Sequence, residues 1–98
     1  MKKASADSAR MVTLIPGDGI GPEVIAAAGA VIEETGVKPR WDTQIAGMTA
    51  FKRVGNPVPD ALLRSLRQTG VALKGPLETR VGEGYRSINV YLRKTFNL

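Results

Sequence analysis

Neither cysteine nor histidine occurs anywhere in the 98 residues. The first absence rules out disulfides and thiolate metal sites. The second rules out histidine-assisted nucleophiles and imidazole metal ligands. A chain without cysteine is compatible with a reducing compartment, and a cytoplasmic location is the expectation. Aromatic residues make up only 5% of the chain, too few for the row of stacking platforms that single-stranded nucleic acid uses. Apolar runs stay far short of the ~20 residues that cross a bilayer. Residues 1–10 carry Lys2 and Lys3 but no apolar stretch behind them, so they are read as a flexible lead-in and not as a secretory signal.

With 43% hydrophobic and 23% charged residues, the chain has the composition of an ordinary globular segment. At this length it forms at most one domain, burying roughly 60–65% of the unfolded chain's surface. The net charge is +5 and it is concentrated. Between Lys74 and Lys94 stand five basic residues (Lys74, Arg80, Arg86, Arg93, Lys94) against Glu78 and Glu83, a net of +3. A compact basic loop suits a small anion, whereas a phosphate backbone needs a longer stripe of charge. Nucleic acid and membrane are therefore not expected as partners. A stand-alone basic module binding anions or nucleic acid is the competing reading.

The elements alternate along the chain. Met11–Ile15 is a short β-branched run closed by Pro16-Gly17, which predicts a buried strand. A glycine-rich turn follows, with Pro22 suited to a first helical position and Glu23 to the positive end of the dipole. The ensuing helix sets Val24, Ile25, Ala28, Val31 and Ile32 on one stripe and stops at Gly36. Trp41, Thr43 and Ile45 alternate against polar neighbours in an edge strand over 40–45. A short helix around Thr49–Arg53 precedes the break at Asn56-Pro57-Val58-Pro59. Asp60 leads a helix with Leu62, Leu63 and Leu66 on one face and Gly70 as its stop, and Val71-Ala72-Leu73 is expected to form a third, short, buried strand. Strand, helix, strand, helix, strand predicts an α/β fold, a βαβαβ segment with a parallel sheet and right-handed crossovers.

The basic loop follows the carboxyl end of the third strand, where open α/β sheets bind ligands. It opens with Lys74 at a Gly-Pro turn and runs into a helix on which Asn89 and Arg93 share a face, beside a buried stripe of Ile88, Leu92 and Phe96. Ser87 falls at the N-cap, which by itself explains a serine there. Fixed charge, a hydroxyl and an amide in two turns make a carboxylate or phosphate site, with the solvated surface loop as the plain alternative. The earlier Gly17-x-Gly19-x-Gly21 loop lacks the third glycine of a dinucleotide fingerprint, because Pro22 holds that position. It is read as a tight strand-to-helix turn in which Asp18 bonds locally, with a backbone approach surface for part of a cofactor as the other reading.

Three stretches carry a family resemblance: Val12-Thr-Leu-Ile-Pro-Gly-Asp-Gly-Ile-Gly-Pro-Glu-Val24, Leu73-Lys-Gly-Pro76, and Gly84-Tyr-Arg-Ser-Ile-Asn-Val-Tyr-Leu-Arg-Lys94. In order and over residues 11–98 the chain resembles the isocitrate and isopropylmalate dehydrogenase family. Its Ser-x-Asn-x-x-x-Arg spacing is similar to the isocitrate branch, since isopropylmalate members carry a more apolar segment there. The resemblance implies that Ser87, Asn89 and Arg93 hold substrate carboxylates and that Lys74 reaches toward the active site. It implies further that Thr79, with Leu77 and Ile20, lies on the cofactor side. Arg80 departs from the family, which usually has proline after the threonine. The implied reaction is oxidation of isocitrate by NAD or NADP followed by loss of carbon dioxide to give 2-oxoglutarate, with isopropylmalate or homoisocitrate as alternative substrates. The resemblance also implies Mg2+ or Mn2+ held by carboxylates beyond residue 98, a homodimer at full length, and residues 11–98 as part of the larger of two domains. No catalytic or metal-binding residue is expected within residues 1–98, and that stretch alone is expected to be inactive.

Overall fold

The computed structural model describes residues 10–78 and 88–97. Strand β1 (Met11–Ile15) lies at the centre of a three-stranded sheet, with β2 (Arg40–Thr43) on one side and β3 (Ala72–Lys74) on the other. Both pairings are parallel, as the alternating elements predict; Val12 is level with Trp41, and Ile15 with Lys74. Helix α1 (Gly21–Glu34) makes the first crossover, and α2 (Gly47–Val54) and α3 (Asp60–Thr69) make the second. Helix α4 (Ile88–Thr95) comes last.

The pleat of β1 decides what each face holds. Thr13 and Ile15 point toward α3 and are fully buried. Ile15, Ala46 and Leu62 form the core cluster, with Val58, Leu66 and Leu77 packed against it. Thr13 is a polar group in this core, and it is satisfied: its hydroxyl lies 2.7 Å from both Ser65 Oγ and Thr69 Oγ1 of α3. Ser65 in turn donates to Asp42 of β2, and Thr69 to the carbonyl of Val71, 2.9 Å away. This chain of hydroxyls fixes α3 over the sheet in one register, since a slip would strand buried polar atoms.

Trp41 has the opposite parity and donates its indole N–H to Glu33 of α1 at 3.0 Å, which sets α1 on the other face. The stripe expected on α1 is only partly buried. Ile25 is 4% exposed, but Val24 is 47% and Val31 65% exposed. A sheet of three strands meets a narrow line of the helix, along Gly21, Ile25, Ala28 and Ile32. Val24 and Val31 fall to one side of that line, so their apolar character does not bury them.

Candidate anion-binding site

The site lies at the carboxyl ends of the strands, where two loops interlock. The loop after β1 and the loop after β3 are joined by Asp18 N–H donating to Pro76 O at 2.8 Å and Gly75 N–H donating to Ile15 O at 2.8 Å. Gly17 makes this approach possible: it sits at φ +85°, and a Cβ there would fall on the Pro76 carbonyl.

Only the backbone of Asp18 bonds locally, its carbonyl accepting from Gly21 N–H at 2.8 Å; the side chain, expected to bond within the turn, reaches across the fold. One carboxylate oxygen accepts from Met48 N (3.0 Å) and Glu78 N (2.7 Å). The other accepts from Thr49 N (2.8 Å) and Thr49 Oγ1 (2.7 Å). The carboxylate therefore caps α2 from 30 residues away and ties that helix to the start of the basic loop. Gly47, at φ +72°, leaves the space; a Cβ would overlap Asp18 Oδ2. Burial works to raise the carboxyl's pKa, but the four donors outweigh it and hold it below the usual aspartate value. A depressed folded pKa stabilises the fold above the unfolded value and ceases to do so as pH falls through the folded one. Denaturant unfolding of the intact protein at pH 7 and pH 3 is thus expected to show a larger acid loss for the wild type than for Asp18→Asn. Equal losses would remove Asp18 from the acid response. The other acid at this junction is Glu78, whose carboxylate lies toward Gly19.

On the other side of β3, a cavity of about 570 Å³ opens between α3, β3 and α4. Lys74, Asn89 and Arg93 line it together, so the structure gathers three of the four residues assigned to substrate. Ile88 and Leu92 are buried and seat α4, with Asn89 and Arg93 on the flank toward the cavity. Withdrawal from water first and the charge of Arg93 second hold the Lys74 ammonium below the usual lysine range. Among the described residues no carboxylate pairs with Lys74 or Arg93, and Lys74 donates to the carbonyl of Gly75 at 3.2 Å. Asn89 Oδ1 is buried with no donor, an unmet acceptor at the wall of a basic cavity.

Arg67 of α3 also faces this cavity, its guanidinium 5.9 Å from the centroid of Phe96. Sequence reasoning centred on residues 74–94 missed it, although it is one of the bases nearest that window in the chain. Ser87 and Thr79 lie outside the described residues, as does Arg80. Of the two described residues assigned to the cofactor, Ile20 is 68% exposed on the loop before α1. Leu77 is half-buried, with its side chain packed against the core cluster. In the glycine loop the amides of Asp18 and Gly21 are taken up by Pro76 O and Asp18 O. No three acidic residues converge among the described residues, so these do not fit Mg2+ or Mn2+. No helix among them is long and apolar enough to cross a membrane.

Residues 11–98 match the family described as isocitrate/isopropylmalate dehydrogenase. The chain is 45% identical over 91 residues to the NADP isocitrate dehydrogenase of Thermus thermophilus, covering 92% of this chain and 18% of that protein. It is 40% identical over 98 residues to a probable mitochondrial NAD isocitrate dehydrogenase subunit alpha of Caenorhabditis elegans, covering 96% and 26%. Among solved structures, the isocitrate dehydrogenase from Methylococcus capsulatus superposes with a TM-score of 0.86 at 57% identity, over 90% of this chain and 26% of that one. The chain thus spans about a fifth to a quarter of the length of these relatives.

Proposed function

This chain belongs to the isocitrate/isopropylmalate dehydrogenase family, and we propose that it supplies the substrate-anion side of an NAD- or NADP-dependent isocitrate dehydrogenase. The observation that carries this is the cavity in which Lys74 and Arg93, both without acidic partners among the described residues, stand beside the unmet acceptor of Asn89. Two cations sharing one cavity repel each other, and this repulsion adds to burial, the larger cause, in lowering the Lys74 pKa. A bound polyanion relieves that repulsion and forms charge-assisted hydrogen bonds with the Arg93 fork. The substrate hydroxyl is a donor of the kind Asn89 Oδ1 lacks. Ser87 would add a further hydroxyl to the same carboxylates. A polar set of this kind suits isocitrate better than isopropylmalate, which brings a branched apolar group in place of a carboxylate.

A bound nicotinamide cofactor would supply the acceptor for the hydride on the carbon bearing that hydroxyl. On this reading Ile20, Leu77 and Thr79 would be the residues that hold it, Thr79 at its nicotinamide end. The described residues supply no general base and no metal cluster, so their part is to bind and orient the anion. Homodimerisation and a cytoplasmic location belong to the same proposal.

The test is turnover by the intact protein. With purified protein and a divalent cation, isocitrate is expected to drive reduction of NAD or NADP and release of carbon dioxide, with at least a hundredfold preference over isopropylmalate in kcat/KM. Preference for isopropylmalate would move the protein to the other branch. No turnover of either would overturn the proposal.

A further inference from the structure

Capping α2 requires hydrogen bonds to Met48 and Thr49 and nothing more. Asp18 makes those bonds and spends the same carboxylate oxygen that serves Met48 on Glu78, 60 residues away in the sequence. Its own N–H is bonded to Pro76 O, so the segment from Pro76 to Glu78 is held at both ends by one residue. None of this strengthens the helix. A buried carboxylate costs desolvation that an apolar residue of similar size avoids, and it is satisfied only where every donor is in place. The space around it is made for that geometry, by Gly47 against Oδ2 and by Gly17 against Pro76 O.

We propose that Asp18 is a positioning residue of the cofactor side, fixing the Pro76–Glu78 segment that leads into Thr79 against the first turn of α2. Its neighbour two residues on is Ile20, so one junction holds together the loop that carries Ile20 and the Pro76–Glu78 segment that carries Leu77. Of the substrate residues, Asn89 and Arg93 stand on α4, which shares no hydrogen bond with Asp18, and Lys74 is placed by the pairing of β3 with Ile15 of β1 and not by the Asp18 carboxylate. The inference rests on the proposed function for the word cofactor, and on geometry alone for the clamp.

The separation of the two sides makes it testable. In Asp18→Asn a single amide oxygen replaces two carboxylate oxygens, leaving an NH2 group facing at least one backbone N–H. The intact variant is expected to raise the KM for NAD or NADP roughly tenfold or more, the loss of a hydrogen bond to a charged group, with the KM for isocitrate within twofold. A general loss of folded protein lowers the apparent kcat and leaves both KM values alone, so it does not imitate this split. Equal rises in both KM values, or neither rising, overturn the proposal. If the variant does not fold, or the wild type turns over no isocitrate, amide resonances of the wild type decide. The Met48, Thr49 and Glu78 N–H signals are expected to shift in acid with one shared midpoint, and a Glu78 signal that ignores the midpoint of the other two overturns the clamp. Absent turnover with a shared midpoint retains the clamp and overturns its assignment to the cofactor.

Discussion

Replacing Arg93 by alanine is expected to raise the KM for isocitrate ten- to a hundredfold and to leave the KM for the nicotinamide cofactor within twofold. Arg93 is on the cavity flank of α4, one turn after Asn89, while Ile88 and Leu92 of the same helix are buried. Its side chain lines the cavity and so can be removed without opening the core. Its charge is felt by Lys74 but is met by no carboxylate among the described residues. A guanidinium left uncompensated in this way is available to a ligand, and a paired fork on a carboxylate contributes about 1.5–3 kcal/mol. That figure sets the expected tenfold to hundredfold. Arg93→Lys keeps the charge and loses the planar fork, so its KM should fall between the two. Steady-state kinetics of the intact protein with each substrate varied in turn measures this. An unchanged isocitrate KM in Arg93→Ala would take Arg93 out of the site.

The parts of this fold legible in the sequence are those set by neighbours in the chain. Met11–Ile15 is bounded by its own composition, and the observed strand has those bounds. Asp60 and Gly70 frame α3 because helix ends depend on local donors and on one left-handed residue, here Gly70 at φ +70°. The sharing of a face by Asn89 and Arg93 follows from helical pitch, and the cavity contains both. What needed the third dimension is different in kind. Val24 and Val31 read as core because apolar residues at helical spacing usually are, yet the narrow sheet reaches only the Ile25 line. Leu77 falls in a loop stretch and still packs into the core, since the β3 loop folds back over Leu62 and Ile15. Asp18 is the clearest case. Its partners are 30 and more residues away, and no pattern within the Gly17–Gly21 turn announces them.

The same junction gives the largest effect expected on stability. Gly17→Ala meets two costs. The residue sits at φ +85°, where an L side chain loses roughly 1–2 kcal/mol. Its Cβ would also fall on the Pro76 carbonyl oxygen and lie 3.1 Å from Gly75 C, and both obstacles are backbone. Relief requires the β3 loop to move, which lengthens the Asp18 N–H bond to Pro76 and draws Glu78 from the Asp18 carboxylate. Forced overpacking of this sort costs about 1–3 kcal/mol more. The sum, about 2–5 kcal/mol, is a large share of the ~5–15 kcal/mol that holds a small domain folded. Gly36→Ala separates the two costs. Gly36 has nearly the same backbone angle, φ +94°, but nothing within 4 Å of its Cβ position. It should lose only the backbone share, about 1–2 kcal/mol. Urea unfolding of the two variants beside the wild type gives the comparison, provided the slopes agree. Equal losses in the two would mean that the loops after β1 and β3 are not locked at Pro76. A larger loss in Gly17→Ala, with cofactor KM raised alongside it, would tie the stability of the junction to its use.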